Sequence, residues 1–292
     1  MSFELALRQA AQETDALLDR LLPLDASPAR RIMEAVRYAA LGPGKRLRPF
    51  LLVEAASLFD VPRQRALRAG AALECIHCYS LVHDDLPAMD DDDLRRGRAT
   101  THKAFDEATA ILAGDALLTF AFEILSDAET HPDATIRVAL VSGLAKAAGQ
   151  AGMVGGQMLD IEAETQANSN LSDIVRIQSL KTGALFRFAC EAGAVLGQGD
   201  PAPLRRYADS IGLAFQIADD ILDVESTPEA LGKATQKDKG MGKATFVDLL
   251  GLDGARHKAG GLVDEAVAAL APYGPKADLL ADAARFIVAR RK

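Results

Sequence analysis

The run Asp84-Asp85-Leu86-Pro87-Ala88-Met89-Asp90 continues without a break through Asp91, Asp92 and Asp93 to Leu94-Arg95-Arg96-Gly97-Arg98. Two unit charges about 4 Å apart repel by roughly 4 kcal/mol at an effective dielectric near 20, so carboxylates this dense need cations, shifted pKa values or full solvation. A solvated loop is the bland reading, since Leu86-Pro87 ends any preceding helix and charge runs are usually exposed. Two features favour cations. Arg95, Arg96 and Arg98 set phosphate-type bases beside metal-type acids, and a second cluster recurs at Asp219-Asp220-Ile221-Leu222-Asp223. There Asp219 and Asp223 are an i, i+4 pair, projecting from one helix face about 6 Å apart along the axis. Mg²⁺ prefers oxygen ligands and is typically held by one or two carboxylates plus substrate phosphates, so two such clusters across a cavity would cage a diphosphate through bridging ions.

The elements that position these residues read as helices. Strand signals are almost absent, with scattered β-branched residues and no alternating run bracketed by a hairpin turn. Residues from about Phe3 to Leu22 carry leucine and alanine at helical spacing, and Ser27-Pro28 supplies an N-cap and first-turn proline for a helix running to Gly42. These two are expected to form an antiparallel pair. A basic turn, Gly42 to Pro49, precedes a short helix from Phe50 to Leu58, and a long helix runs from about Gln64 to Asp85. The acidic segment and Thr100-Thr101-His102 read as loop, and Glu107 to Leu125 as a buried apolar helix. Helices follow over Ala134–Ala163, Leu171–Leu196 and Pro203–Val224. The text from Glu225 to Gly242 is loop-like, and helix resumes from Thr245 with breaks at Gly251 and at Tyr273-Gly274-Pro275. Each acid cluster thus falls at or near a helix C-terminus, an arrangement that suggests the two face one another. No linker divides the chain, so residues 1–292 read as one domain.

The length of 292 residues allows a substantial core. A net charge of −8 argues against a nucleic-acid or anionic-membrane binder, so a polyanionic substrate must be held by local bases and metals. The three cysteines, Cys75, Cys78 and Cys190, have no disulfide-framework spacing, and the N-terminus has no signal-peptide pattern; a reducing cytoplasm is the expected compartment. Apolar stretches such as Ala147 to Leu159 are short and Gly-rich, and none reads as a membrane span.

The two clusters resemble those of the trans-polyprenyl diphosphate synthases of the bacterial farnesyl diphosphate synthase type. CIHCYSLVHDDLPAMDDDDLRRGRATT, Cys75 to Thr101, looks like the first aspartate-rich motif of that family, and GLAFQIADDILDV, Gly212 to Val224, like the second. GKRLRP ending at Pro49, KTGALF from Lys181 to Phe186 and GKAT from Gly242 to Thr245 match its other anchor motifs in order, so the resemblance covers nearly the whole chain.

The resemblance implies an all-α bundle of about ten or more helices around a central apolar cavity. It also implies metal-assisted head-to-tail condensation of isopentenyl diphosphate with dimethylallyl and then geranyl diphosphate, giving farnesyl diphosphate. The allylic diphosphate would coordinate Mg²⁺, about three ions with Mn²⁺ as an alternative, held by Asp84 and Asp90 and by Asp219 and Asp223, with Asp85 and Asp220 supporting. Arg95, Lys181, Lys233 and Lys243 are implied as bases on that diphosphate. Thr182 and Gln216 would face the allylic cation, which needs a closed apolar pocket against water.

Isopentenyl diphosphate would bind without metal among Lys45, Arg48, His77 and Arg96. Proton loss would go to the released diphosphate, since no histidine or carboxylate is obviously placed for it. Tyr79 and Ser80 lie about 6 to 8 Å deeper than the metal end and would set chain length. A homodimer is implied as well. Ala99, where the family often has proline, and Gln236, where glycine commonly precedes Lys-Asp, depart from the pattern without removing a charge. The basic tail Arg290-Arg291-Lys292 would close over the diphosphate or fray.

Rival readings fare less well. Cys75-Ile76-His77-Cys78 lacks the second ligand pair a zinc site needs and the βαβ context of a redox motif. A terpene cyclase generally replaces the second aspartate cluster, which is intact here. Geranylgeranyl or geranyl diphosphate synthesis remains open, and a non-catalytic subunit would predict erosion of the bases that are all present.

Overall fold

The computed structural model describes residues 2–24, 29–163, 170–225 and 245–289. The chain divides into two compact units, one formed by Met1–Val53 and Val61–Val141 and the other by Glu54–Asp60 and Ser142–Lys292.

In the first unit, α1 (Phe3–Leu21) starts at Ser2, whose side chain accepts the Leu5 N–H. The next helices are α2 (Arg30–Ala40) and α3 (Leu47–Ser57), the latter passing into the second unit at Glu54. The Ser27-Pro28 start signal lies outside the described residues. α3 begins three residues earlier than its periodicity suggested, because Pro49 falls in the first turn, where a missing N–H costs no helical bond. α4 (Arg63–Asp84) is buried continuously from Ala66 to Ile76, so it has no amphipathic stripe.

The expected α1–α2 pair is not the main packing: α1 lies against α4 and α2 against α6 (Glu107–Ser126), while Arg37 of α2 donates to the Asp19 carboxylate and the Leu22 carbonyl. α4 and α6 pack most extensively. A Cβ added at Gly114 would sit 2.1 Å from His83 Nε2, so any larger residue there would have to displace the His83 ring.

Two expectations fail here. The segment read as loop holds a small antiparallel hairpin, β1 (Leu94–Arg95) with β2 (Arg98–Ala99), then the short α5 (Thr101–Ala104). Its two turn residues, Arg96 and Gly97, have φ of 53° and 77°, the primed-turn geometry that suits the twist of paired strands. A hairpin with two-residue strands gives no alternating pattern to read. Second, α6 is long and apolar enough to cross a membrane by length and composition, with a mean hydropathy of 1.7 over its best window. Ala110, Ala113, Leu117, Ala121 and Leu125 are each fully buried within the unit, the reason a core helix passes that test.

The second unit runs through α7 (Ala134–Ala148), α8 (Met153–Ala163), α9 (Leu171–Lys181), α10 (Gly183–Leu196), α11 (Ala202–Glu225), α12 (Phe246–Ala269) and α13 (Asp278–Ala289), α7 beginning in the first. The helix expected over Ala134–Ala163 breaks between Ala148 and Met153, around Gly149 and Gly152, and that over Leu171–Leu196 breaks at Thr182. Gly251, at φ 70°, kinks α12 as expected. α11 and α12 form the most extensive pair, around a cluster of Ile174, Ile217, Phe246, Ala255 and Ala259. Tyr207 is fully buried and donates its hydroxyl to the Leu280 carbonyl at 2.7 Å.

Candidate active site

Helical spacing divides the last turns of α4 into two faces. Glu74, Cys78, Leu81 and Asp85 line one, against a small cavity of about 70 Å³ that is also bounded by Arg46, Arg95, Arg96 and Arg98. His77, Ser80 and Asp84 follow one another at spacings of three and four along the other.

The helix ends at Asp84, and the acidic run winds back on it instead of leaving into solvent. Asp90 N–H donates to the Asp84 carbonyl at 2.8 Å, Asp91 N–H to Leu86 at 3.1 Å and Asp92 N–H to Asp85 at 3.2 Å. Carbonyls at a helix C-terminus lack intrahelical donors, and the loop supplies them. Asp85 is 3% exposed, and Arg95 Nε reaches both its oxygens at 2.7 and 2.9 Å. Burial works against the Arg95 charge, but the Asp85 hydrogen bond and the carboxylates of Asp85, Asp92 and Asp84 outweigh it and raise its pKa. Arg95 Nη2 lies 3.8 Å from Asp92. Asp84 and Asp90 stay half-buried.

Of the bases expected to hold the second diphosphate, His77, Arg48 and Arg96 gather in this unit. Burial, then the guanidinium groups of Arg48, Arg96, Arg46 and Arg95, hold the His77 imidazole well below its ordinary pKa, so it is neutral here. Lys45 is exposed on the turn before α3. Arg96 Nη1 donates to the Pro43 carbonyl at 2.5 Å, the Arg98 guanidinium lies 4.1 Å from the Tyr38 ring centroid, and Tyr38 donates to the Ala99 carbonyl at 2.8 Å. These contacts fasten the hairpin to the basic turn. Tyr79 is 7% exposed, edge-on to His83 at 5.8 Å, its phenol pushed up to about 12 by burial and by Asp84. Ser80 donates to the His77 carbonyl at 2.9 Å.

In the second unit, Lys181 Nζ donates to Asp160 at 2.7 Å. A Cβ on Gly156, one turn before Asp160, would lie 2.2 Å from the Lys181 backbone nitrogen, so α8 presses directly on the α9–α10 break. Thr182 Oγ1 reaches Gln216 Oε1 at 3.4 Å, Gln216 Nε2 donates to Asp220 at 3.1 Å, and the other Asp220 oxygen accepts the Phe246 N–H at 2.8 Å. Asp220 is therefore occupied in fixing Gln216 and the start of α12, while Asp219 and Asp223 are half-buried on α11.

Arg46, Glu74 and Asp160 escaped the sequence reading. The available signal was a lone acid inside an apolar helical run, for Glu74 between Leu73 and Cys75 and for Asp160 between Leu159 and Ile161. Lys233, Lys243, Gln236 and the tail Arg290-Arg291-Lys292 lie outside the described residues.

The paired carboxylates offer the hard oxygen donors that Mg²⁺ takes. Among the described residues no three His, Cys, Asp or Glu side chains converge on one point.

Residues 29–269 match the polyprenyl synthetase family. The chain is 48% identical over 276 residues to a farnesyl diphosphate synthase of Escherichia coli (strain K12), covering 91% of this chain and 90% of that one. It is 43% identical over 263 residues to a farnesyl diphosphate synthase of Geobacillus stearothermophilus, covering 88% of each. Among solved structures, an FPP/GFPP synthase from Zymomonas mobilis aligns with a TM-score of 0.90 at 51% identity over 98% of both chains.

Proposed function

Because the chain belongs to the polyprenyl synthetase family, we propose that it is a farnesyl diphosphate synthase, condensing isopentenyl diphosphate with dimethylallyl and then geranyl diphosphate. The observation that carries this reading is the arrangement of the first cluster: Asp84 and Asp90 come from one turn, stapled by a backbone bond, beside a guanidinium already committed to Asp85.

Asp84, Asp90, Asp219 and Asp223 would hold Mg²⁺, which when bound supplies Lewis-acid stabilisation of the departing diphosphate. Arg95 and Lys181 contribute fixed positive charge to that group. Thr182 and Gln216, whose side-chain directions are set by the chain of bonds to Asp220, turn oxygen dipoles toward the allylic cation. Lys45, Arg48, His77 and Arg96 hold isopentenyl diphosphate, and the released diphosphate takes the proton lost after the new carbon–carbon bond forms. Each step thus uses charge in place rather than a titrating side chain.

Tyr79, buried at the level where a lengthening chain would arrive, limits the product to fifteen carbons. A longer product is the second reading, favoured by the likeness to a protein titled FPP/GFPP synthase. The test is a product-length assay with Mg²⁺, labelled isopentenyl diphosphate and dimethylallyl diphosphate, comparing the wild type with Tyr79→Ala. Farnesyl diphosphate from the wild type and longer chains from the variant are expected. A wild type that already passes fifteen carbons removes the role of Tyr79 and leaves the chemistry; a wild type that consumes no isopentenyl diphosphate sinks the reading.

A homodimer fits α6, whose outer face leaves Ile111 and Leu112 45% and 57% exposed. Light scattering on the purified protein decides between dimer and monomer.

A further inference from the structure

Arg46 stands in sequence between Lys45 and Arg48, two bases assigned above to isopentenyl diphosphate, yet its own side chain is turned inward and only 1% exposed. Its Nε donates to Asp15 of α1 at 2.7 Å and Nη1 to Glu74 of α4 at 2.8 Å. Nη2 donates to the Ala40 and Gly42 carbonyls, both at 2.8 Å. The guanidinium therefore ties together α1, the end of α2, the basic turn and α4. Glu74, whose side chain is 3% exposed, lies three residues before His77 on that last helix.

The backbone of Arg46 is itself unusual, with φ of 49° in the left-handed region that a bulky residue adopts only when its surroundings over-determine it. That reversal sets the direction in which Lys45 leaves the turn and α3, with Arg48 in its first turn, begins. A buried ion pair is a weak source of stability, because desolvation offsets the attraction, but a planar guanidinium with four directed bonds fixes geometry well.

We propose that Arg46, held by Glu74, is a positioning residue for isopentenyl diphosphate: it locks the turn that presents Lys45 and Arg48 without touching the substrate. The inference rests on the prenyl-transfer reading. It assigns the Arg46–Glu74 pair to one of the two substrates only, since the hydrogen bonds of Arg46 go to Asp15, Glu74 and the Ala40 and Gly42 carbonyls rather than to the clustered aspartates or Lys181.

The experiment measures KM and kcat for isopentenyl diphosphate at saturating geranyl diphosphate, then the reverse, for the wild type, Arg46→Gly, Glu74→Gln and the double variant, with thermal unfolding of each. Glycine keeps the left-handed backbone at no steric cost, so Arg46→Gly removes the side chain alone. KM for isopentenyl diphosphate is expected to rise roughly ten- to a hundredfold in Arg46→Gly and by a smaller factor in Glu74→Gln, with KM for geranyl diphosphate unchanged. The double variant should be no worse than Arg46→Gly, because the two residues act as a unit. Should Arg46→Gly fail to fold, Glu74→Gln, which keeps shape and an acceptor, carries the same test. An equal rise in both KM values, or a fall in melting temperature with neither KM changed, overturns the positioning role. A wild type without prenyl transfer overturns the reading beneath it instead.

Discussion

The two aspartate clusters look alike in sequence and are built differently. In Asp84-Asp85 the second carboxylate is buried against a guanidinium, whereas in Asp219-Asp220 it is buried against neutral donors, the Phe246 N–H and the Gln216 amide. In both, the second aspartate is a strut and its neighbour is left half-buried. Consecutive residues on a helix cannot share a face, so each pair sends one side chain to the chemistry and one to the scaffold. The difference lies in what balances the strut. The first relies on opposite charge and holds a loop; the second relies on hydrogen bonds and holds a helix terminus.

The sharpest break of this comparison separates activity from stability. Asp84→Ala and Asp219→Ala should each cost about a hundredfold or more in kcat/KM while leaving the unfolding free energy within about 0.5 kcal/mol of wild type. Steady-state kinetics beside urea denaturation would show it, and a large loss of stability in either would deny the division of labour. The struts should behave in the opposite order. Asp85→Ala leaves a partly buried Arg95 without its main partner and is expected to destabilise by about 3 kcal/mol. Asp220→Ala strands two neutral donors, at about 1–3 kcal/mol. Equal losses would erase the charged-versus-neutral distinction.

The smallest effect concerns pH. His77 in the folded chain binds its proton less readily than an ordinary histidine, chiefly through burial and then through Arg48 and Arg96. As pH falls below about 6.5 the unfolded chain takes up that proton first, so stability present above this pH is lost below it. The loss is bounded at about 1.4 kcal/mol per pH unit. Urea unfolding between neutral pH and about pH 5 should fall more steeply for the wild type than for His77→Gln; parallel curves would mean that His77 accepts a proton in the fold.

Much of this was legible beforehand. Long helices such as α4 and α11 announce themselves because a 3.6-residue period repeats over many turns, and Gly251 marks its kink because no other residue takes φ of 70° cheaply. The acid clusters were visible because their density has no inexpensive structural explanation. The hairpin at Leu94–Ala99 was not, since two-residue strands are too short for any period. The breaks at Gly149–Gly152 and Thr182 were missed because an apolar run continues through them, although at the second the close approach of α8 to Lys181 marks the junction in space.

Sequence by itself therefore determined the helical class, the family and which residue types carry the chemistry, because those depend on local period and on charge that must be balanced wherever it falls. Only the tertiary structure decided which aspartate of each pair is a strut, that Asp160 holds Lys181, and that Arg46 turns inward to Glu74 while Lys45 beside it stays outside. These depend on contacts between residues far apart in the chain, and the partner that satisfies a buried charge cannot be read until folding has brought it within hydrogen-bonding distance.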